Sequence, residues 1–334
     1  MLKRFIDLLM IVLLFSFTVD AQNKAVAVKA TGEGFKLKCN GSDYFINGMN
    51  WDYYPIGTNY TYSLWNQPED VIKAALDYEM PMLKNMGVNT IRQYTGVPAK
   101  WIEYIYKTYG ISTVLNHAFG RYGLTLNNQW VPNTDYSNPL VRELLVKEVK
   151  ALAVQFKHTP GLLMYLLGNE NNYGLFWRGA ETENMPMEDR QSTKDAHHLY
   201  RLFNDAAKEI KAIDTNHPVA ICNGDLMFLD IITKECADID VLGINVYRGI
   251  SFGDLFIRIQ KEYNKPVVLT EFGADAFNMQ TNAEDQDYQS KILAANWKEI
   301  YANASGSGLA GNSIGGFTFQ FSDGWWKAGQ TTGL

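Results

Sequence analysis

Two rhythms alternate along the chain. Apolar-rich runs recur at 45–49, 88–94, 111–117, 161–168, 218–222, 239–246, 266–271 and 314–321. Several, such as "GLLMYLLG" and "PVVLTE", are apolar at successive positions, as strands buried on both faces are. Between the runs, residues 68–86, 139–157, 188–213 and 284–303 carry apolar side chains three and four apart with charges opposite. Shorter helices fit 98–109, 226–234 and 253–263, and the helix at 68–86 opens on a favourable first turn, Pro68-Glu69-Asp70. Ahead of the first run, "VAVKATGEGFKLKCNGSDYFING" alternates in short pieces broken by glycine and predicts an N-terminal hairpin.

Eight strands separated by seven helices imply a parallel sheet with helices outside it. Eight such units close into a (β/α)8 TIM barrel, an α/β fold. A doubly wound open sheet would place a glycine-rich phosphate loop after its first strand, and "FINGMNWDYYPIG" is not one. Only about a dozen residues, "DGWWKAGQTTGL", follow the last strand, so the eighth helix is expected to be missing or truncated.

The N-terminus has a different character. Lys3 and Arg4 precede "LLMIVLLFSFTV", and "VDA" before Gln22 offers a small-residue cleavage site after Ala21. Residues 1–21 are therefore read as a secretory leader, too short for a comfortable membrane span and without a cysteine for lipid attachment. The expectation is an exported protein, periplasmic or secreted, with no membrane anchor and with 22–334 as one barrel domain. Its 46% hydrophobic content suffices for one large core. Cys39, Cys222 and Cys236 are odd in number and read as buried thiols. No CxxC or Cys/His ligand spacing accompanies the five scattered histidines, so neither a metal nor another cofactor is expected. A net charge of −6 without any basic run argues against nucleic acid and anionic membranes as partners.

The chemistry begins with two strand ends. The run at 266–271 is apolar until it terminates in Glu271, and the run at 161–168 is followed by Asn169 and Glu170. In a parallel barrel the C-terminal strand ends share one rim, where active sites sit. The fourth and seventh strands thus each deliver a carboxylate to the same mouth. One such glutamate alone serves a structural ion pair as readily as a reaction. Two fit the hydrolysis of a glycosidic bond with retention, which needs a nucleophile and a proton donor ~5–5.5 Å apart. The donor needs a raised pKa while the nucleophile stays ionised. Arg92, at the tip of the second strand, is placed to keep one carboxylate ionised.

"LLGNENN" and, about a hundred residues later, "VVLTEFGAD" resemble the clan of retaining (β/α)8 glycosidases. "TEFGAD" with "DQDYQSKIL" looks like the catalytic barrel of glycoside hydrolase family 2. "FINGMNWDYYP", "MGVNTIRQY" and "GGFTFQF" look as much like glycoside hydrolase family 5 and the β-1,3-glucanosyltransferase family. The resemblance covers roughly residues 40–325. It implies Glu170 as general acid/base and Glu271 as nucleophile, with Asn169 on the sugar 2-hydroxyl. It also implies Arg92 and Tyr247 as supports of the nucleophile, and His117 as a strand-three site histidine. Two departures from family 2 are expected: the residues ahead of the barrel leave no room for its β-sandwich domains, and phenylalanines in "FTFQFSD" stand where the clan commonly has a strand-eight tryptophan.

Sugars offer apolar C–H faces, so aromatic platforms are sought among the residues after the strand tips. Trp51, Tyr53, Tyr54, Trp130, Trp177, Trp325 and Trp326 qualify by position, with Trp51 and Trp177 preferred and Trp325 retained as a substrate contact. The loop 171–188 is long enough to wall a cleft. The expected activity is retaining β-glycosidase action on a β-linked glucan or related polysaccharide, by hydrolysis or transfer to a second sugar. Two rivals are a carbohydrate-binding barrel without turnover and a metal-dependent barrel using His117 with Glu170 or Glu271. No His-x-His spacing favours the latter.

Overall fold

A computed structural model describes residues 25–178, 181, 184–324 and 327, the side chains of 177 and 178 excepted. The leader read at 1–21, Trp325 and most of the stretch read as a truncated eighth helix lie outside the described residues.

Eight parallel strands close on themselves in chain order: β1 (Ile46–Asn50), β2 (Thr90–Tyr94), β3 (Ser112–His117), β4 (Leu162–Leu167), β5 (Val219–Gly224), β6 (Val241–Asn245), β7 (Val267–Phe272) and β8 (Ser313–Thr318). The ring is sealed where β8 pairs with β1, Gly315 opposite Ile46 through Thr318 opposite Met49. Helices follow the first seven strands: α1 (Glu69–Asn85), α2 (Ala99–Tyr109), α3 (Pro139–Phe156), α4 (Gln191–Ile213), α5 (Leu229–Glu235), α6 (Leu255–Glu262) and α7 (Gln286–Ala302). Their starts are locally encoded. Asn138 caps α3 through Leu140 N–H with Pro139 in the first turn, and Asp285 caps α7 through Tyr288 N–H. The helical pattern from 188 begins as a short 3-10 turn, Met187–Asp189, and α4 proper starts at Gln191. Among the described residues no helix is long and apolar enough to cross a membrane.

Side-chain alternation splits the core in two. One cluster fills the layer between strands and helices, with Ile91, Leu115, Leu167, Ile244 and Leu269 facing outward from the sheet. A smaller one lies inside the ring, with Ile46, Val114, Leu166, Ala220, Val241, Val268 and Phe317. The predicted N-terminal hairpin has a third strand. Val26–Thr31, Gly34–Cys39 and Ser42–Tyr44 form an antiparallel sheet, the last turn made by Asn40 and Gly41 at φ 49° and 83°. Val26 and Leu37 from this sheet join the inner cluster, so the sheet plugs the lower end of the ring. Main-chain bonds fasten it there, from Val26 N–H to Asn216 O at 3.0 Å and from Phe35 N–H to Gly311 O at 2.8 Å.

Inside the ring, space is allotted atom by atom. A Cβ on Gly243 of β6 would sit 2.5 Å from the Ile221 carbonyl oxygen and 2.9 Å from Thr270 Cγ2. Gly243→Ala is therefore expected to cost about 1–3 kcal/mol by overpacking. Urea unfolding should show a lower midpoint with an unchanged slope.

Candidate active site

The upper end of the ring is polar, and a buried guanidinium organises it. Arg92 follows Thr90 on the inward face of β2 and is 1% exposed. Its Nε and Nη2 both donate to Asn116 Oδ1, at 2.9 and 2.6 Å. Nη2 also reaches Asn169 Oδ1 at 2.7 Å, and Nη1 donates to Glu271 Oε1 at 2.7 Å and to the Thr270 carbonyl at 3.2 Å. A charge this deep is tolerated only when paired and saturated with acceptors. Asn50 completes the shell, accepting from Nη1 at 3.3 Å while donating to Thr270 O at 3.0 Å.

Glu271 reaches this cluster through a break in strand regularity. Val268 lies in the inner cluster and Thr270 Oγ1 donates inward to Asn245 Oδ1, whereas Val267 and Leu269 belong to the outer layer. Strict alternation would send Glu271 outward. Pairing with β6 instead slips by one residue, Ile244 opposite Leu269 but Asn245 opposite Glu271, and the pairing with β8 slips between Leu269 and Phe272. The extra residue turns both Thr270 and Glu271 inward, as bulges beside active sites do. Tyr247, just past β6, donates its hydroxyl to Glu271 Oε2 at 3.1 Å. Both carboxylate oxygens are thus held by donors. Burial first, and then the charge and hydrogen bond of Glu271, push the Tyr247 phenol upward, so it stays protonated as a donor.

Glu170 stands on a left-handed turn after β4. Gly168 has φ 81°, and Glu170 itself has φ 58° and ψ 35°, which is uncommon for a residue with a side chain. The turn is fixed by Glu170 N–H to Cys222 O at 3.0 Å and by Asn169 N–H to Asn171 Oδ1 at 2.8 Å. Burial and then the nearby charge of Glu271 raise the Glu170 pKa, against a hydrogen bond with Asn245 and the charges of Arg121 and Arg92. Asn169 is locked between them: Oδ1 accepts from Arg92 and from Asn245 Nδ2 at 3.1 Å, and Nδ2 donates to Tyr122 at 2.7 Å.

The structure therefore brings Arg92, Asn169, Glu170, Tyr247 and Glu271 to one mouth. His117 is placed elsewhere. Alternation on β3 turns Asn116 inward and His117 outward, where Nε2 lies 3.3 Å from Glu148 of α3 and Nδ1 accepts from Phe119 N–H. It can neither touch a sugar at the mouth nor share a metal with the two glutamates. Among the described residues no group of three or more His, Cys, Asp or Glu is arranged to hold a metal ion. Trp51 also differs from expectation. Its indole N–H is bound to Glu79 at 2.6 Å and the ring packs in the outer layer; it borders the cleft and the recess at the mouth but is only 1% exposed. Trp177 lies in the 3-10 turn Leu175–Arg178, its side chain outside the described residues, as is Trp325.

Other members of the cluster went unread in the sequence. Asn50, Asn116 and Asn245 are buried carboxamides on inward positions, a signal that alternation along each strand would have supplied. Asp52 is a third acid at the mouth. Burial lifts its carboxyl to about 6, with Arg92 and Lys327 opposing and Glu271 adding. Phe319, following β8, lines the recess with Glu271, Arg92 and Asn169, a recess of about 170 Å³. That recess opens into a cleft of about 760 Å³ through shared walls at Trp51, Asp52, Tyr94, Tyr122 and Lys327.

No family model and no curated protein matches the sequence. Solved structures do match. A β-glucuronidase of Bacteroides uniformis superposes with a TM-score of 0.61 at 17% identity, over 89% of this chain and 32% of its own. A GH2 β-galacturonidase of Eisenbergiella tayi gives 0.59 at 17%, over 92% of this chain and 49% of its own. The β-mannanase of the blue mussel Mytilus edulis gives 0.58 at 15%, over 89% and 92%. The barrel fold is the one these glycosidases share. The chain spans a third to a half of the two uronidases and matches nearly the whole length of the mannanase.

Two outcomes are expected of this geometry. Arg92→Met would strand buried acceptors and a buried carboxylate, lowering stability by about 3–5 kcal/mol in urea titration. In Glu271→Gln, loss of the neighbouring charge should lower the Glu170 pKa, read by 13C NMR of labelled glutamate carboxyls. An unmoved titration would mean the two groups are not coupled.

Proposed function

We propose that the protein is an exported retaining β-glycosidase acting on a β-linked glucan or related polysaccharide. The observation that carries this reading is the asymmetry of two acids at one mouth. Glu271 has a donor on each oxygen, Arg92 and Tyr247, whereas Glu170 is half-buried beside that charge with its pKa raised. Those are the environments that separate a nucleophile from an acid. The glycosidases that share the fold support the same class of reaction.

In the first step a Glu271 oxygen attacks the anomeric carbon. The bond to the leaving oxygen breaks as the Glu170 proton passes to that oxygen, leaving a glycosyl ester on Glu271. In the second step Glu170, now ionised, takes a proton from water, whose oxygen displaces Glu271 from the anomeric carbon. A sugar hydroxyl serves equally in place of water, so hydrolysis and transfer share one intermediate. Asn169 has its carbonyl held by Arg92 and Asn245, which leaves its second amide hydrogen for the sugar 2-hydroxyl. Release outside the cytoplasm follows from reading residues 1–21 as a leader.

A 2-deoxy-2-fluoro glycoside with a good leaving group is expected to label Glu271, located by peptide mass spectrometry. Glu170→Ala should retain turnover on dinitrophenyl glycosides, whose leaving group needs no proton, and lose it on alkyl glycosides. Ionisation of Glu170 removes the acid as pH rises, so the alkaline limb of kcat/KM should vanish in that variant. Label on another residue, or equal losses on every leaving group, would overturn the assignment. Tight oligosaccharide binding without labelling or turnover would instead favour a binding barrel.

A further inference from the structure

The cleft of about 760 Å³ lies on one side of the two acids only. Its walls come from the segment after β1 (Tyr53, Tyr54, Tyr60, Tyr62, Trp65) and from Tyr94 and Tyr122 after β2 and β3. Neither Glu170 nor any residue that follows β4, β5 or β6 lines it. Nor does Glu170 line the recess that holds Glu271, into which the cleft opens. On the reading above, the leaving oxygen must lie against Glu170. The C1 and C4 ends of a pyranose ring are opposite, so the part of the substrate that stays on Glu271 points away from Glu170, towards this cleft.

We infer that the cleft binds sugars on the non-reducing side of the cleaved bond, making this a chain-binding enzyme rather than one that removes single terminal sugars. The inference rests on the assignment of Glu170 and Glu271. The size falls in the range of roughly 300–1,000 Å³ that encloses a multi-ring ligand. The chemistry fits neutral sugars: six tyrosines and Trp65 offer faces to C–H groups, and the phenol tips offer donors to hydroxyls. Only Asp52 and Lys327 bring charge, and they are opposite in sign. Tyr54 and Tyr62 stand at a tilt, with ring centroids 6.3 Å apart, and Tyr60 is 63% exposed, so its ring is free to meet a ligand at little cost to the fold.

Binding can be measured without turnover. Isothermal titration of Glu170→Gln with mono-, di- and tetrasaccharides of the β-glucan, β-mannan and β-galactan series should show affinity rising at least about tenfold with length in one series. Adding Tyr60→Ala or Tyr54→Ala should remove roughly five- to tenfold of that gain while leaving monosaccharide affinity unchanged. Equal affinity at every length, no binding in any series, or a gain untouched by either substitution would overturn the inference. In those cases the cleft is filled by the chain itself, by a second copy, or by solvent. The fluoro-sugar label separates the two proposals: labelled Glu271 with length-independent affinity rejects the cleft and keeps the glycosidase. Length-dependent affinity with no label on Glu271 does the reverse.

Discussion

The mouth of this barrel depends on a positive charge that cannot leave. Arg92 is enclosed by strands on every side, and its N–H groups are shared among Asn116, Asn169, Glu271, Asn50 and a main-chain carbonyl. In a low-dielectric interior such a group is stable only if every acceptor stays in place, so it dictates the conformations of residues from β1, β2, β3, β7 and the turn after β4. The guanidinium fork fixes directions as well as charge, which an ammonium would not. Glu271 is held at one prong and Asn169 at another, and the distance between those prongs is set by covalent geometry.

Below that layer the ring is packed with apolar side chains. The N-terminal sheet closes the bottom with Val26 and Leu37, and Val114, Leu166, Val241 and Phe317 fill the middle. Water and ions therefore meet the acids from the open end only. The difference between Glu170 and Glu271 follows from where their partners stand: two donors serve the second, while the first meets burial and a like charge. Cys222 shows the same environment acting on a thiol. Burial pushes it up to about 11, in spite of Arg92, so it packs as a neutral member of the cluster.

Much of this architecture was legible from pattern. Doubly apolar runs such as 161–168 and the helical spacing at 139–157 place β4 and α3 with little error, because burial on both faces leaves no polar alternation to mislead. The strand-tip glutamates were visible for the same reason, as charges ending apolar runs. What pattern did not convey was direction. His117 and Asn116 are adjacent, and only their facing decides which one meets Arg92. Trp51 follows Asn50 and falls on the outer side by the same rule. Glu271 breaks that rule through a register slip set by pairing across two neighbouring strands, which no local window records. Asp52, close to Arg92 only in three dimensions, carries no sequence mark at all.

That slip makes the location of the Glu271 carboxylate a matter of counting residues. A substitution at Glu271 removes or replaces the carboxylate, but it leaves the pairing register that carries it unchanged. Loss of a single codon between Val267 and Glu271 would remove the extra residue, leaving one inward side chain above Val268 where there are now two and forcing the pairing with β6 and β8 into a new register. Drift by point mutation and drift by insertion or deletion therefore have unlike reach here. The first tunes or extinguishes the centre in place, and only the second can dismantle its geometry.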